Sequence, residues 1–368
     1  MDFSFSEDQQ ALRELAGKIL EDRAGHDRLK EIEQTEDRVD RDLWRELAKA
    51  SLLGVPVDEA HGGSGLGLFD LAILLEEAGR AVAPVPLWET LVLGALPIQQ
   101  FGSEDQKRRF LPRVADGGVL LTAALVEPGA ASPEAPATRA VRDGGGWRLE
   151  GAKCLVPAAH LAERVLVPAS SDDGVGLFLV DPGAAGVKAT RQVATTGDPR
   201  FDLALAGVAV PAEDVLVEAD ADAVRWTVDR ALAGVCALQL GVVDQALRMT
   251  ARYAREREQF DRPIGSFQAV HQRAADAYID GEAIRLTLWR ALHCLAHDEP
   301  AAEALAIAKF WASEGGNRVA YAAQHLHGGI GIDTDYPLHR HYLWSRELAL
   351  TLGPATAHLA SLGTMLAS

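Results

Sequence analysis

Arg257-Glu258-Gln259-Phe260-Asp261-Arg262-Pro263-Ile264-Gly265-Ser266-Phe267-Gln268 separates two long Ala- and Leu-rich segments whose apolar residues recur at helical spacing. A guanidinium fork matches phosphate oxygens bidentately, and a carboxamide donates and accepts at once, so Arg257 and Gln268 suit an anionic, hydrogen-bonding ligand. Farther on, His325-Leu326-His327-Gly328-Gly329-Ile330-Gly331 offers bare backbone that a flat ligand can approach closely. The competing reading of Arg257 is a solvated side chain on a charged helix face, because Arg252, Arg255 and Glu256 flank it.

The 368 residues are 48% hydrophobic, enough for a large core divided among two or three structural units. The formal net charge of −17 argues against a nucleic-acid surface, which needs clustered basic residues, and any phosphate must be held by local donors. No apolar run approaches the roughly 20 residues of a membrane span, and Met1-Asp2-Phe3-Ser4 has neither the basic nor the apolar part of a secretory leader, so a cytoplasmic location is expected. Cys154, Cys236 and Cys294 lie far apart without CxxC spacing, which predicts reduced, buried thiols.

Ser6-Glu7-Asp8-Gln9 reads as a capping box, and Leu12, Leu15, Ala16, Ile19 and Leu20 then keep one helical face. Further helical patterns cover 42–52, 68–81 and 103–115, with Gly62-Gly63-Ser64-Gly65 as a loop. From about Leu120 the texture changes to short β-rich runs at 147–150, 162–168, 175–180 and 203–210, the mark of a small antiparallel sandwich or barrel. Beyond Ala219 the patterns at 224–256, 267–296, 301–325 and 337–366 read as four long helices of an antiparallel bundle. The expected organisation is α+β: a helical N-terminal domain over 1–119, a middle β domain over 120–218 and a four-helix bundle over 219–368.

The Arg257–Gln268 stretch resembles the RxxFGxxIxxFQ signature of the acyl-CoA dehydrogenase family, and 325–331 resembles its QxxGGxG turn. Leu53-Gly54-Val55-Pro56 with Gly62-Gly63-Ser64-Gly65 is similar to the family's GVPxxxGG segment, and Phe101 to Lys107 with Phe110-Leu111-Pro112 to its G(S/T)xxQKxxxLP element. The order of helices, β domain and bundle is also the family's, so the resemblance spans the chain. It implies an FAD cofactor whose pyrophosphate meets Arg257 and Gln268, with Phe260, Phe267, His325, Gly328 and Gly329 as further cofactor-binding residues, an acyl-CoA substrate, an electron-transfer acceptor and an oligomeric assembly.

Two further stretches match with substitutions. Ala124-Leu125-Val126-Glu127-Pro128-Gly129-Ala130-Ala131-Ser132 resembles xxTEPxxGSD, with Val126 in place of the hydroxyl; Lys153-Cys154-Leu155-Val156-Pro157 resembles KxWI(T/S), with Leu155 in place of the aromatic and Pro157 in place of the hydroxyl. By resemblance Val126 and Pro157 stand on the flavin side. Asp261 takes the position of the signature's glycine. Desaturation needs a carboxylate to remove the α-proton. The family carries it in a YEG(T/S) turn, here Thr351-Leu352-Gly353-Pro354, so Leu352 stands where the Glu is expected. The alternative position, on the first bundle helix, falls near Ala231 or Leu238. Asp229 and Glu347 are the neighbouring acids, but two residues along a helix is about 200° of rotation.

Gly63-Ser64-Gly65-Leu66-Gly67 echoes a dinucleotide loop, yet helical patterns lie on both sides where a βαβ unit would begin with a strand. His325/His327 and His339/His341 suggest a metal, but helical residues two apart face different sides, so no metal is expected. The sequence leaves three functions: a base-lacking subunit completed by a homologous subunit that carries the Glu, as a heterotetramer; a self-sufficient dehydrogenase, homo-oligomeric, with another base; or a flavin-free scaffold. The stretch Leu326 to Arg340 resembles actinobacterial-type members acting on bulky CoA thioesters, including steroid side chains.

Overall fold

The computed structural model describes residues 5–129 and 132–367; the opening Met1-Asp2-Phe3-Ser4 and the Ala130-Ala131 part of the xxTEPxxGSD-like stretch lie outside them. Along the chain come α1 (Glu7–Arg23), α2 (His26–Glu33), α3 (Arg41–Lys49), α4 (Leu68–Arg80), a π-helix over Trp88–Ala95, α5 (Leu96–Phe101) and α6 (Glu104–Ala115). Eight strands follow: β1 (Leu121–Ala123), β2 (Arg139–Asp143), β3 (Gly146–Pro157), β4 (Arg164–Ser170), β5 (Val175–Val180), β6 (Val187–Val193), β7 (Pro199–Val210) and β8 (Val215–Val217). The rest is α7 (Ala221–Glu256), the two-residue strands β9 (Glu258–Gln259) and β10 (Arg262–Pro263), α8 (Gln268–Ala296), α9 (Ala302–His327), α10 (Leu338–Leu350) and α11 (Ala355–Ala367). The chain packs as two units, one of Met1–Ile32, Leu68–Pro84 and Leu232–Ser368, the other of Glu33–Gly67 and Val85–Ala231.

In the first, helical unit, Ser6 caps α1 with the reciprocal bonds to Gln9 that its sequence predicts. α4 and α7 cross at glycines: a Cβ on Gly79 would stand 2.1 Å from the Leu238 carbonyl oxygen, and one on Gly241 1.8 Å from that of Glu76. That contact buries Glu76 and Glu77, which Arg13 and Arg80 neutralise at 2.9–3.0 Å. The most apolar 18-residue stretch of α7 is 78% buried, as befits a core helix. The expected fourth bundle helix is two helices, because the chain breaks at Thr351–Pro354, where Leu352 and Gly353 take φ of +57° and +105°. Proline and a left-handed pair cannot continue an α-helix.

The second unit is built on a sheet of order β6-β7-β3-β2-β4-β5-β8, with β1 beside β4. It corrects the antiparallel expectation: β1 and β2 both pair with β4 in parallel, so the sheet is mixed. The inward positions of β3, β4, β5 and β7 form its core, where Trp147 meets Phe178 edge-on at 5.5 Å. β1, β2, β6 and β8 have no periodicity of their own; β6 is almost entirely exposed and is held by its ladder to β7. Cys236 and Cys294 are buried as expected, whereas Cys154 is only half-buried.

Candidate active site

At one end of the helical unit α7 stops at Glu256, and the Arg257 N–H donates to the Tyr253 carbonyl at 2.8 Å. β9 and β10 form a hairpin turning on Phe260 and Asp261, at φ +54° and +60°, a left-handed pair that ordinarily selects Asn-Gly. Aspartate tolerates that region, which is how the chain does without the signature glycine. Phe260 is 86% exposed at the tip, its ring edge-on to Phe267 at 6.1 Å. The hairpin is tied back to α7 by the Ile264 N–H, which donates to the Arg257 carbonyl at 2.8 Å, and α8 then opens at exposed Gln268, beside its free N–H groups.

α9 returns to the same end, its Tyr321 ring lying under Arg273 of α8. His327 stacks on Tyr253 at 4.4 Å, so the Gly328-Gly329 turn stands beside the end of α7 that carries Arg257. His327 Nδ1–H donates to the Ala323 carbonyl and its Nε2 accepts from the Tyr336 hydroxyl at 3.2 Å; burial lowers its pKa and keeps it neutral. His325 is exposed, so the first HxH pair faces two ways. His341 is buried, with Nε2–H donating to the Arg80 carbonyl, while His339 is half-buried on the Tyr336 carbonyl.

Arg257 is exposed and forms no ion pair with any described residue, despite the acidic chain. A Cβ on Gly328 or Gly329 would meet nothing within 4 Å, so packing inside the chain does not require glycine at 329. An unpaired guanidinium, a carboxamide at a helix N-terminus and bare exposed backbone fit the diphosphate of FAD. The same unit holds Leu352, half-buried between α10 and α11, and Glu347, half-buried one turn before the break, its carbonyl accepting from the Thr351 N–H. The turn thus carries no carboxylate.

In the other unit Val126 is 38% exposed and its carbonyl accepts from the Cys154 N–H at 2.9 Å, while Pro157 is buried at the end of β3. These two segments are clasped by a pair that sequence reasoning missed: Lys153 Nζ donates to Glu127 at 2.6 Å and to the Pro168 carbonyl at 2.7 Å, both side chains almost wholly buried. Glu127 also accepts from the N–H groups of Ala137 and Thr138. For Glu127, desolvation works against the charge, but hydrogen bonds from Lys153 and Thr138 and the lysine's charge outweigh it and hold the carboxyl below the usual range; burial lowers Lys153. β3 bulges between Lys153 and Val156, leaving Leu155 exposed at φ +54° with its N–H on Asp202.

Ala231, one of the alternative base positions, is buried, and its carbonyl accepts from the Trp88 indole of the π-helix at 3.1 Å. Leu238, the other, lies buried in the helical unit. Asp229 is half-buried on α7, and its carboxyl is pushed up to about 6, chiefly by desolvation; Arg230 and Arg225 oppose this and Glu134 adds to it. Lys309, fully buried on α9, was also missed. Its signal was a lysine on the apolar face of an otherwise regular helical pattern, between Ala308 and Ala312.

Residues 6–118 match the acyl-CoA dehydrogenase N-terminal domain and residues 221–366 the acyl-CoA dehydrogenase C-terminal domain. The chain is 39% identical over 376 aligned positions to acyl-CoA dehydrogenase FadE27 of Mycobacterium tuberculosis, covering 100% of this chain and 99% of that protein. Among solved structures, a Tcur3481-Tcur3483 steroid ACAD G363A variant is 48% identical with a TM-score of 0.92, covering 98% of each chain. The ChsE4-ChsE5 complex from Mycobacterium tuberculosis is 38% identical with a TM-score of 0.95, covering 100% of this chain and 99% of that one. End-to-end likeness of sequence and fold, with both signature turns at one end of the helical unit, establishes that the chain belongs to the acyl-CoA dehydrogenase family.

Proposed function

We propose that this chain is the base-lacking subunit of a heteromeric, FAD-dependent acyl-CoA dehydrogenase that desaturates a bulky acyl-CoA thioester, of fatty or steroid type. The observation that supports the reading is the Thr351–Pro354 turn between α10 and α11, in which Leu352 stands at the position that the family resemblance gives to the Glu. FAD, when bound, supplies the acceptor for the β-hydrogen. Arg257 neutralises its diphosphate, Gln268 hydrogen-bonds beside it, and Gly328-Gly329 leave its approach open. Val126 and Pro157 have no side-chain hydroxyl for the flavin ring, so any hydrogen bond to it there must come from backbone, and Pro157 brings no N–H. Leu352 packs against an acyl chain but cannot hold the α-proton, which a homologous subunit's carboxylate must take. Relatives of two-component name, one of them called a steroid ACAD, favour that assembly and substrate class.

The test is anaerobic titration of the purified chain with steroid and fatty acyl-CoA esters, alone and co-purified with a homologous subunit bearing the Glu. Bleaching of the flavin only in the pair is expected, with electrons passing on to an electron-transfer acceptor. Full bleaching by the chain alone refutes the reading, and a colourless pair refutes the flavin assignment. A second reading, self-sufficient catalysis, rests on Asp229, whose carboxyl desolvation raises to about 6, within the range a general base uses. That reading requires activity in the isolated chain and its loss in Asp229→Asn.

A further inference from the structure

The break between α10 and α11 holds a leucine in a backbone state that ordinary residues avoid, φ +57° at Leu352. The carbonyls of Leu352 and Gly353 are both clasped. His358 Nε2–H donates to the Leu352 carbonyl at 3.0 Å, and Lys309 Nζ donates to the Gly353 carbonyl at 3.1 Å. Lys309 also reaches the Leu348 and Ala349 carbonyls, at 3.2 Å each, and Ser313 Oγ at 2.7 Å. The Ser313 hydroxyl spends its own proton on the Ala349 carbonyl at 2.9 Å, so its lone pairs face the lysine.

Four acceptors therefore surround one buried nitrogen. An ammonium satisfies them with three N–H groups; a neutral amine would aim its lone pair at an oxygen. The carbonyls at the end of α10 also carry the negative end of that helix's dipole, which favours a cation. The titratable groups around Lys309 are Cys236 of α7, pushed up to about 12 by burial, and His358 of α11, lowered by burial and then by the lysine's charge. Both are uncharged at neutral pH. No described carboxylate pairs with Lys309, so its partners are dipoles alone.

We propose that Lys309 and His358 are positioning residues that lock residue 352 in its left-handed conformation and so aim its side chain at the bound acyl-CoA. The inference rests on the reading above, in which residue 352 faces the substrate. Burial lowers Lys309 to about 8, so the lock loosens on the alkaline side of neutrality.

The experiment follows the Leu352 methyl resonances of the full-length protein, together with amide exchange over 351–358. The wild type should give one sharp pair of methyl signals at pH 6.5 to 7 that shifts or broadens with a midpoint near 8. Lys309→Met should show the loosened spectrum at every pH and about tenfold faster exchange confined to 351–358. Should Lys309→Met not fold, His358→Leu, at a half-buried position, must produce the same local loosening. Unchanged methyl signals, a wild-type spectrum insensitive to pH over this range, or faster exchange spread equally over α9 and α10 would overturn the proposal. None of these readouts needs flavin or acyl-CoA. A lock that responds as expected while the Leu352 methyls ignore acyl-CoA in the assembled complex would count against the functional reading alone.

Discussion

Replacing Asp229 by Asn tests the electrostatics of α7. The carboxyl is raised from 3.8 to about 6, chiefly because neighbouring protein displaces its water. Arg230 opposes this most and Arg225 less, the latter being engaged with Glu134 at 3.0 Å. At about 1.4 kcal/mol per pH unit, the gap between 3.8 and 6 corresponds to about 3 kcal/mol if the group were sealed from solvent. Asp229 is only half-buried, so solvent screening reduces this to about 1–2 kcal/mol. Between pH 3.8 and 6 the folded state keeps a proton that the unfolded chain has released, so stability falls as pH rises through that window. The penalty is complete above pH 6. Asn escapes it, so Asp229→Asn should be more stable than wild type at pH 7 and equal to it near pH 4. Urea unfolding of both proteins from pH 4 to 8 measures the difference. A constant offset across the range, or a less stable variant at pH 7, refutes the argument.

Arg257→Ala should weaken FAD retention by about 1.5–3 kcal/mol, the range for a hydrogen bond to a charged group, with Arg257→Lys recovering only part; flavin dissociation constants measured on the co-purified pair check both. Lys153→Met leaves the buried Glu127 carboxylate with backbone donors alone and should cost about 3–5 kcal/mol in thermal or chemical unfolding, whereas adding Glu127→Gln should return much of it. The isolated wild-type chain should show no measurable desaturation of acyl-CoA esters with an artificial acceptor. Leu352→Glu should regain a fraction of the about 10²–10⁴-fold that a general base contributes, read as the rate of flavin reduction.

Local chemistry made much of this protein legible from sequence. The Ser6–Gln9 capping box and the apolar periodicity of α1, α4 and α7 to α9 need only neighbours within a turn or two, and all formed as read. The Arg257–Gln268 signature and the Gly328-Gly329 turn are likewise short-range patterns, so family membership could be read from them. The absence of a carboxylate at 352 was also a fact of sequence alone. Where the signal was not local, reading stopped. The parallel edges of the sheet depend on which distant strand lies alongside, and β6 owes its existence to its ladder with β7. Pro337 to Leu366 looked like one helix because its apolar spacing continues across a break that the backbone takes at Leu352.

The polar interior was the least visible part. Lys153 and Lys309 each look like a charge interrupting an apolar pattern, and nothing nearby in sequence shows what satisfies them. Burial of a lysine becomes tolerable only when long-range folding delivers Glu127 to one and the terminal carbonyls of α10 to the other. Caps, periodicity and signature turns act over a few residues, so the set of elements and the family chemistry were legible in the chain itself. Tertiary structure alone decided which acids and bases are desolvated, and hence that Asp229 titrates near 6 and Lys309 near 8, because the water and dipoles around a group come from every element packed against it.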